Sequence, residues 1–297
     1  MRTVSAQYYY DFSPTVGNAP GDIWSDLPTH GMLGSQSLPG IVIAPACDLS
    51  QGKVETITYL PIVPLRAYFS LPGALPEIRR AIEGQFAFLA LDGVMNWPAQ
   101  YIAPDLSTID AAVDLLNQYS NSPKISKKEV VCVKRCEAGL RLLRNFQRPE
   151  LVEADPKDLN ALLGDKEWLN YRSRLVRNAL RSDLHFLPAD GQLASWSGVP
   201  CHSLVLFRYP LTAPIDVFEC AQDISLVDWK NCCEQLGVIV PLVMAFAARR
   251  PIKRLTLKPD FLADLLTRYV SLYVRLGSPD FSEHTINQFC TEVHNVG

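Results

Sequence analysis

Two periodicities divide the chain. From Gly21 to about Tyr68 the apolar positions recur as in strands. Ile41-Val42-Ile43-Ala44 is a short apolar run, and Val54 to Leu60 carries β-branched and aromatic residues at Val54, Thr56, Ile57, Thr58 and Tyr59. Both are strand signals. Pro61 and Pro64 bracket Ile62-Val63, which predicts edge strands or a small barrel, because proline cannot donate to a central ladder. Upstream, the turn formers Pro14, Gly17, Asn18 and Pro20 follow an aromatic cluster at Tyr8, Tyr9, Tyr10 and Phe12.

Helical spacing takes over beyond residue 75. Pro76 opens a short helix over 77–84, and Phe86 to Leu91 reads as a strand ending at Asp92-Gly93. Ser107 is the expected N-cap of a helix over 109–119, with Asp110 complementing its dipole. Ser126 opens a longer helix to about Gln147, with Pro149 just beyond. Asp155-Pro156 starts another that stops at Gly164, and 166–182 gives one more. Leu184–Leu187 and Ser203–Phe207 read as strands. Residues 228–236 and 259–276 return to helix, the last one stopped by Gly277 and Pro279. Such segregated blocks predict an α+β protein.

The helix after Ser126 has a two-sided pattern. Val133, Cys136, Leu140 and Leu143 fall on one apolar stripe, while Lys127, Lys134, Arg141 and Arg148 succeed one another every seven residues along the other face. Arg135 adds a further cation beside them. Lys124 to Arg148 holds eight basic residues against two acidic ones. An ordinary surface mixes the two signs more evenly, so this face is expected to meet an acidic partner surface or a phosphate backbone. The whole chain carries a net charge of −3, which argues against a globally basic nucleic-acid binder and confines the feature to one helix.

Composition narrows the chemistry. The longest apolar run, Leu236 to Ala248, is shorter than the roughly 20 residues a bilayer requires and contains Pro241, so it reads as a buried core segment and no membrane span is expected. The start of the chain lacks the apolar stretch of a signal peptide, which predicts a cytoplasmic protein. Eight cysteines include one C-x3-C (Cys132, Cys136) and the adjacent Cys232-Cys233, but no CxxC. Buried free thiols are therefore expected rather than a zinc site, and no metal or cofactor is predicted. His185, flanked by Leu184 and Phe186, reads as a satisfied core histidine. Cys201 and His202 should point to opposite faces of a strand. No Walker A, G-x-G-x-x-G, G-x-S-x-G or H-E-x-x-H pattern occurs, and Glu150, Glu153 and Asp155 read as a solvated linker. The loop from Pro45 to Val54 places Cys47, Asp48 and Lys53 close together, the one candidate for a small reactive site. Its structural alternative is a turn capped by Asp48 with Gly52 at a positive φ.

Gly21-Asp22-Ile23-Trp24, a Gly/Ser loop, Leu38-Pro39-Gly40, the strand at 41–44 and the stretch closing at Leu60-Pro61-Ile62 resemble the start of the MazF/PemK family. The resemblance covers residues 20–66 and implies a small SH3-like barrel that cuts single-stranded RNA. On that basis residues 1–70, completed by strands within 184–210, form the barrel, and 71–297 a mainly helical body. Two positions depart from the family. Its arginine before proline corresponds to Leu38, and its later hydroxyl residue falls near Val63-Pro64. An RNA-cutting site needs a cation for the phosphorane and a group to move the 2′-hydroxyl proton. The Cys47-Asp48 turn and the late Arg275-Leu276-Gly277 also resemble bacterial proteins encoded among mobile or defence-associated genes. Together these features lead to the expectation of a non-catalytic regulatory or defence-associated binding protein with a protein partner. An RNA-binding or RNA-cleaving member of a toxin–antitoxin system is the alternative, with Lys53, Arg66 and the basic helix as its candidates.

Overall fold

Strand β4 (Thr56–Pro64) organises the sheet, because three other strands hydrogen-bond to it. In the computed structural model, which describes residues 8–13, 17–91, 93–122, 125–193, 195–223, 225–274, 282 and 284–285, the strands follow one another across a single sheet. Their order is β1 (Tyr10–Asp11), β8 (Ile252–Leu257), β2 (Asp22–Leu27), β3 (Leu38–Val42), β4, β6 (Ser203–Leu206) and β5 (Leu184–Leu187), while β7 (Leu211–Pro214) pairs with β4 off this path. All pairings are antiparallel, and the 8-stranded sheet does not close. The protein is therefore a mixed α and β protein built on an open sheet, and the closed barrel expected from the N-terminal residues is not observed.

The proline expectation for β4 is corrected by its register. Residues 56–59 pair with 211–214 of β7, and 62–64 pair with 203–205 of β6. Leu60 and Pro61 fall in the interruption between those two partners, so a residue without an N–H is tolerated inside a central strand. Side chains then alternate across the sheet. Ile57 and Tyr59 point into one core with Trp24, Leu27, Val42, Phe218 and Phe246, whereas Leu60 and Ile62 point into the other with Ile23, Ile41, Phe207, Leu255 and Leu257. Each such fully buried side chain contributes about 1.5–3 kcal/mol relative to exposure.

Helices cover both faces. α8 (Ile215–Gln222), α9 (Trp229–Ile239) and a 3-10 turn (Pro241–Phe246) lie over the first core, and α10 (Pro259–Tyr273) covers the second. The apolar run from Leu236 to Ala248 is not a core segment throughout. Val243 and Phe246 are buried, but Val238 and Ile239 are each 84% exposed, because only the inner side of this stretch meets the sheet. No helix among the described residues is long and apolar enough to cross a membrane.

A third core joins the far end of the sheet to a helical layer. It is made of α3 (Leu75–Phe88), α4 (Leu106–Ser120), α5 (Lys127–Asn145), α6 (Pro156–Leu163) and α7 (Asp165–Val176), after the short α1 (Ala46–Ser50) and α2 (Leu65–Tyr68). Phe86, expected in a strand, is instead the last anchor of α3, whose buried Leu75, Ile78, Ile82 and Phe86 recur at helical spacing. Asp105, not Ser107, caps α4 by accepting from the Thr108 N–H at 2.8 Å. α6 begins at the Asp155 cap and stops at Gly164, whose φ of 81° suits glycine alone. The helix stop at Gly277 and Pro279, the Arg275-Leu276-Gly277 ending, Cys290 and His294 lie outside the described residues.

Candidate partner-binding surface

The loop carrying Cys47, Asp48 and Lys53 folds as a turn. Pro45 starts α1, the Cys47 carbonyl accepts from the Gln51 N–H, and the Asp48 carbonyl accepts from the Lys53 N–H at 3.0 Å. Cys47 is exposed, and its thiol donates to the Asp48 carboxylate at 3.4 Å. Lys53 is exposed and enters the turn through its backbone. Arg66 lies in an ion pair with Glu153, so it is not a free cation beside this loop and Glu153 is not simply solvated. Burial pushes the thiols of Cys132, Cys201 and Cys233 up, Cys136 to about 12 and, aided by the neighbouring Cys232 thiol, Cys220 to about 12. Among the described residues no group of three or more His, Cys, Asp or Glu side chains is placed to hold a metal ion. His202 is fixed structurally, its Nδ1 accepting from the Ala189 N–H at 3.0 Å.

The basic helix is built from its cap. The Ser126 hydroxyl accepts from the Glu129 N–H, and the Glu129 carboxylate accepts in return from the Ser126 N–H at 2.7 Å. Those bonds, with one from the Tyr119 hydroxyl at 2.6 Å, push the Glu129 carboxyl down to about 2. Val133, Cys136, Leu140 and Leu143 are buried as their spacing predicts, and α5 packs between α3, α4 and α6. Gly139 permits the closest approach, since a Cβ there would stand 2.4 Å from Ile82 Cγ1. Gly139→Ala is expected to lower stability by about 1–3 kcal/mol, the range for overpacking, despite alanine's better helix propensity. A thermal melt checks this, and an unchanged midpoint would show that the two helices can separate freely.

Lys127, Lys134 and Arg141 are exposed along α5, whereas Arg148, expected on the same helix face, is exposed in the turn beyond the helix, which ends at Asn145. The structure divides them by role. Arg141 binds Asp158 of α6 through Nε and Nη2 at 2.9 and 2.7 Å, and the neighbouring Arg144 binds Asp110 of α4 at 2.5 Å. These two cations tie α5 to the helices on either side. Lys127, Lys134, Arg135 and Arg148 have no ion pair among the described residues. Lys124, counted in the local charge excess, lies outside the described residues.

Three open hollows, not apparent from the sequence, border α3 and share Gly84. Those of about 420 and 560 Å3 lie against α5, and the third, of about 590 Å3, is lined by α3 and residues between 91 and 97. Their walls carry Arg79, Arg80, Lys127, Lys128, Arg135 and Arg174 against the carboxylates Glu77, Glu83 and Glu167. Part of this charge is already engaged: Arg79 binds Glu83 at 2.9 Å, and Arg174 donates to the last carbonyls after α7. The hollow nearest α5 is apolar at its base, where Phe88 and Val131 are 56% and 50% exposed beside Lys127, Lys128 and Arg135. The sequence marked Arg135 and Lys127, but Phe88 was hidden in a segment that reads as a strand. No family model, curated protein or solved structure matches the chain.

Proposed function

We propose that this chain is a non-catalytic binding protein that holds an acidic, partly apolar segment of a protein partner in the groove between α3 and α5. The carrying observation is the pairing of exposed Phe88 and Val131 with the cations Lys127, Lys128 and Arg135. A bare phosphate backbone would use the charges and leave Val131 in water, whereas a peptide with apolar and acidic residues covers both. Lys134 on α5 and Arg148 in the turn after it extend the positive field and favour encounter with an acidic partner. The structural use of Arg66, held in an ion pair with Glu153, supports a binding rather than a chemical role. The free cysteines support a reducing cytoplasmic setting. The regulatory or defence-associated setting, drawn from the resemblance of the Cys47-Asp48 turn and the Arg275-Leu276-Gly277 ending to bacterial proteins encoded among such genes, belongs to the same proposal, with RNA as the competing occupant.

The test is affinity capture of the tagged protein from its native cells, with and without nuclease, followed by titration of the captured partner. A stoichiometric protein that survives nuclease is expected. The double reversal Lys128→Glu, Arg135→Glu should weaken it roughly tenfold or more, and added salt should weaken the wild-type complex. Recovery of RNA, with any protein lost on nuclease treatment, would replace this reading with the toxin-like one.

A further inference from the structure

A second cavity, separate from the groove, opens where the helical layer meets the ends of β5 and β6. Its volume is about 500 Å3, within the roughly 300–1,000 Å3 typical of small-molecule pockets. Leu71, Leu184 and Leu206 give it an apolar base, and Tyr68, Tyr101 and Tyr209 line its sides. Its polar wall is a three-residue ion network centred on Asp183, whose side chain is only 7% exposed.

The geometry assigns different tasks to the two arginines there. Arg181 is fully committed: Nε and Nη2 donate to the two Asp183 oxygens at 2.9 and 2.7 Å, and Nη1 donates to the Gly73 carbonyl at 2.5 Å. Arg208 donates only Nε to Asp183, at 2.8 Å, and its side chain is 63% exposed. Both terminal amino groups of Arg208 have no hydrogen bond among the described residues. A nearly buried carboxylate, itself clamped by Arg181, therefore holds the Arg208 guanidinium from behind and leaves its outer fork open. Two cations against one anion give the wall a net positive charge. Such a pre-oriented fork suits bidentate recognition of an oxyanion, because the side chain has already lost much of its rotational freedom.

We propose that this cavity binds a small ligand with a planar aromatic body and an oxyanion, of the nucleoside monophosphate class. The phosphate sits on the outer nitrogens of Arg208, and the base lies against Tyr101 and Tyr209 above the leucine base. The volume exceeds what an isolated phosphate needs, and the rings of Tyr101 and Tyr209 give a flat heterocycle the stacking surface that an aliphatic acid would not use. Asp183 and Arg181 are positioning residues and touch no ligand in this arrangement.

Calorimetric titration of the full chain with each of the four common ribonucleoside monophosphates, the corresponding nucleosides and inorganic phosphate tests the proposal. At least one monophosphate is expected to saturate one site at micromolar to millimolar concentration, with its nucleoside and inorganic phosphate each binding at least about tenfold more weakly. Arg208→Gln should weaken that monophosphate by about tenfold or more, and Tyr101→Ala should weaken it severalfold. Tyr101 is half exposed, so an unaltered melting temperature should accompany its loss, and Tyr101→Ala carries the test if Arg208→Gln, which removes a bond to the nearly buried Asp183, does not fold. Absence of saturable binding, inorganic phosphate binding as tightly as any monophosphate, or equal affinity in both variants would each overturn the assignment.

Discussion

Lys253→Met is expected to lower the unfolding free energy by about 3–5 kcal/mol, the range for stranding one member of a buried ion pair. Asp22 is completely buried, and its Oδ2 lies 3.0 Å from Lys253 Nζ, whose own side chain is 7% exposed. The carboxylate also accepts from the Ala19 N–H and the Thr256 hydroxyl, at 2.8 and 2.7 Å. The ammonium reaches the Gly17 carbonyl and stands 5.6 Å from the centre of the Trp24 ring. Methionine keeps the stem's packing and removes the charge, leaving a buried anion with only neutral donors. Urea denaturation at neutral pH measures the loss. The paired change Asp22→Asn, Lys253→Met should recover a large part of it, because two neutral groups carry no stranded charge. A loss below about 1 kcal/mol in the single variant would mean that water reaches the pair and screens it as at a surface.

This pair also accounts for the residues that suggested an N-terminal barrel. In Gly21-Asp22-Ile23-Trp24 the aspartate bonds to β8 and the tryptophan fills a core, so the segment joins strands from opposite ends of the chain. β8 escaped the sequence reading because Lys253 and Arg254 interrupt its apolar pattern, and only a distant buried aspartate makes a lysine acceptable there. β7 escaped for a related reason: four residues bounded by Pro210 and Pro214 look like a turn until β4 supplies the pairing partner. Local chemistry, by contrast, was readable. The Ser126 capping box, the Asp155-Pro156 start, the Gly164 stop and the buried stripe of α5 all depend on neighbours within a turn or two. The cationic side of α5 was legible too, although Arg148 falls beyond the helix end, but its division into tethering residues and residues with no ion pair among the described residues was not. That division depends on Asp110 and Asp158, which belong to other helices. The same reason hid the Arg208 cavity, whose walls come from residues far apart in sequence.

Between about pH 4 and neutrality the main pH effect is expected from His185, which the sequence marked as a satisfied core histidine. It is 1% exposed, but neither ring nitrogen has a hydrogen-bond partner among the described residues. Its nearest carboxylate, Asp264 of α10, lies 3.9 Å from Nδ1, beyond hydrogen-bond reach, and is held by Arg268 at 2.9 and 3.0 Å. Burial against Phe207 outweighs the attraction of Asp264 and pushes the imidazole down to about 4 from its ordinary 6.5. The sign follows from proton binding. Between those two values the unfolded chain takes up a proton that the folded chain refuses, so acid favours unfolding. The contribution is intact above about pH 6.5 and is lost progressively down to about pH 4, a total of about 3 kcal/mol at 1.36 kcal/mol per pKa unit. Urea midpoints across this window should fall for the wild-type chain. His185→Leu removes both unpartnered nitrogens, so it should match or exceed wild-type stability near neutrality and lose this part of the acid slope. An identical slope in the two proteins would assign the decline to other groups. Hydrogen exchange adds a spatial readout: if α10 lifts to let the ring ionise, its amides should lose protection below about pH 5 before β4 does, and the leucine variant should keep both protected.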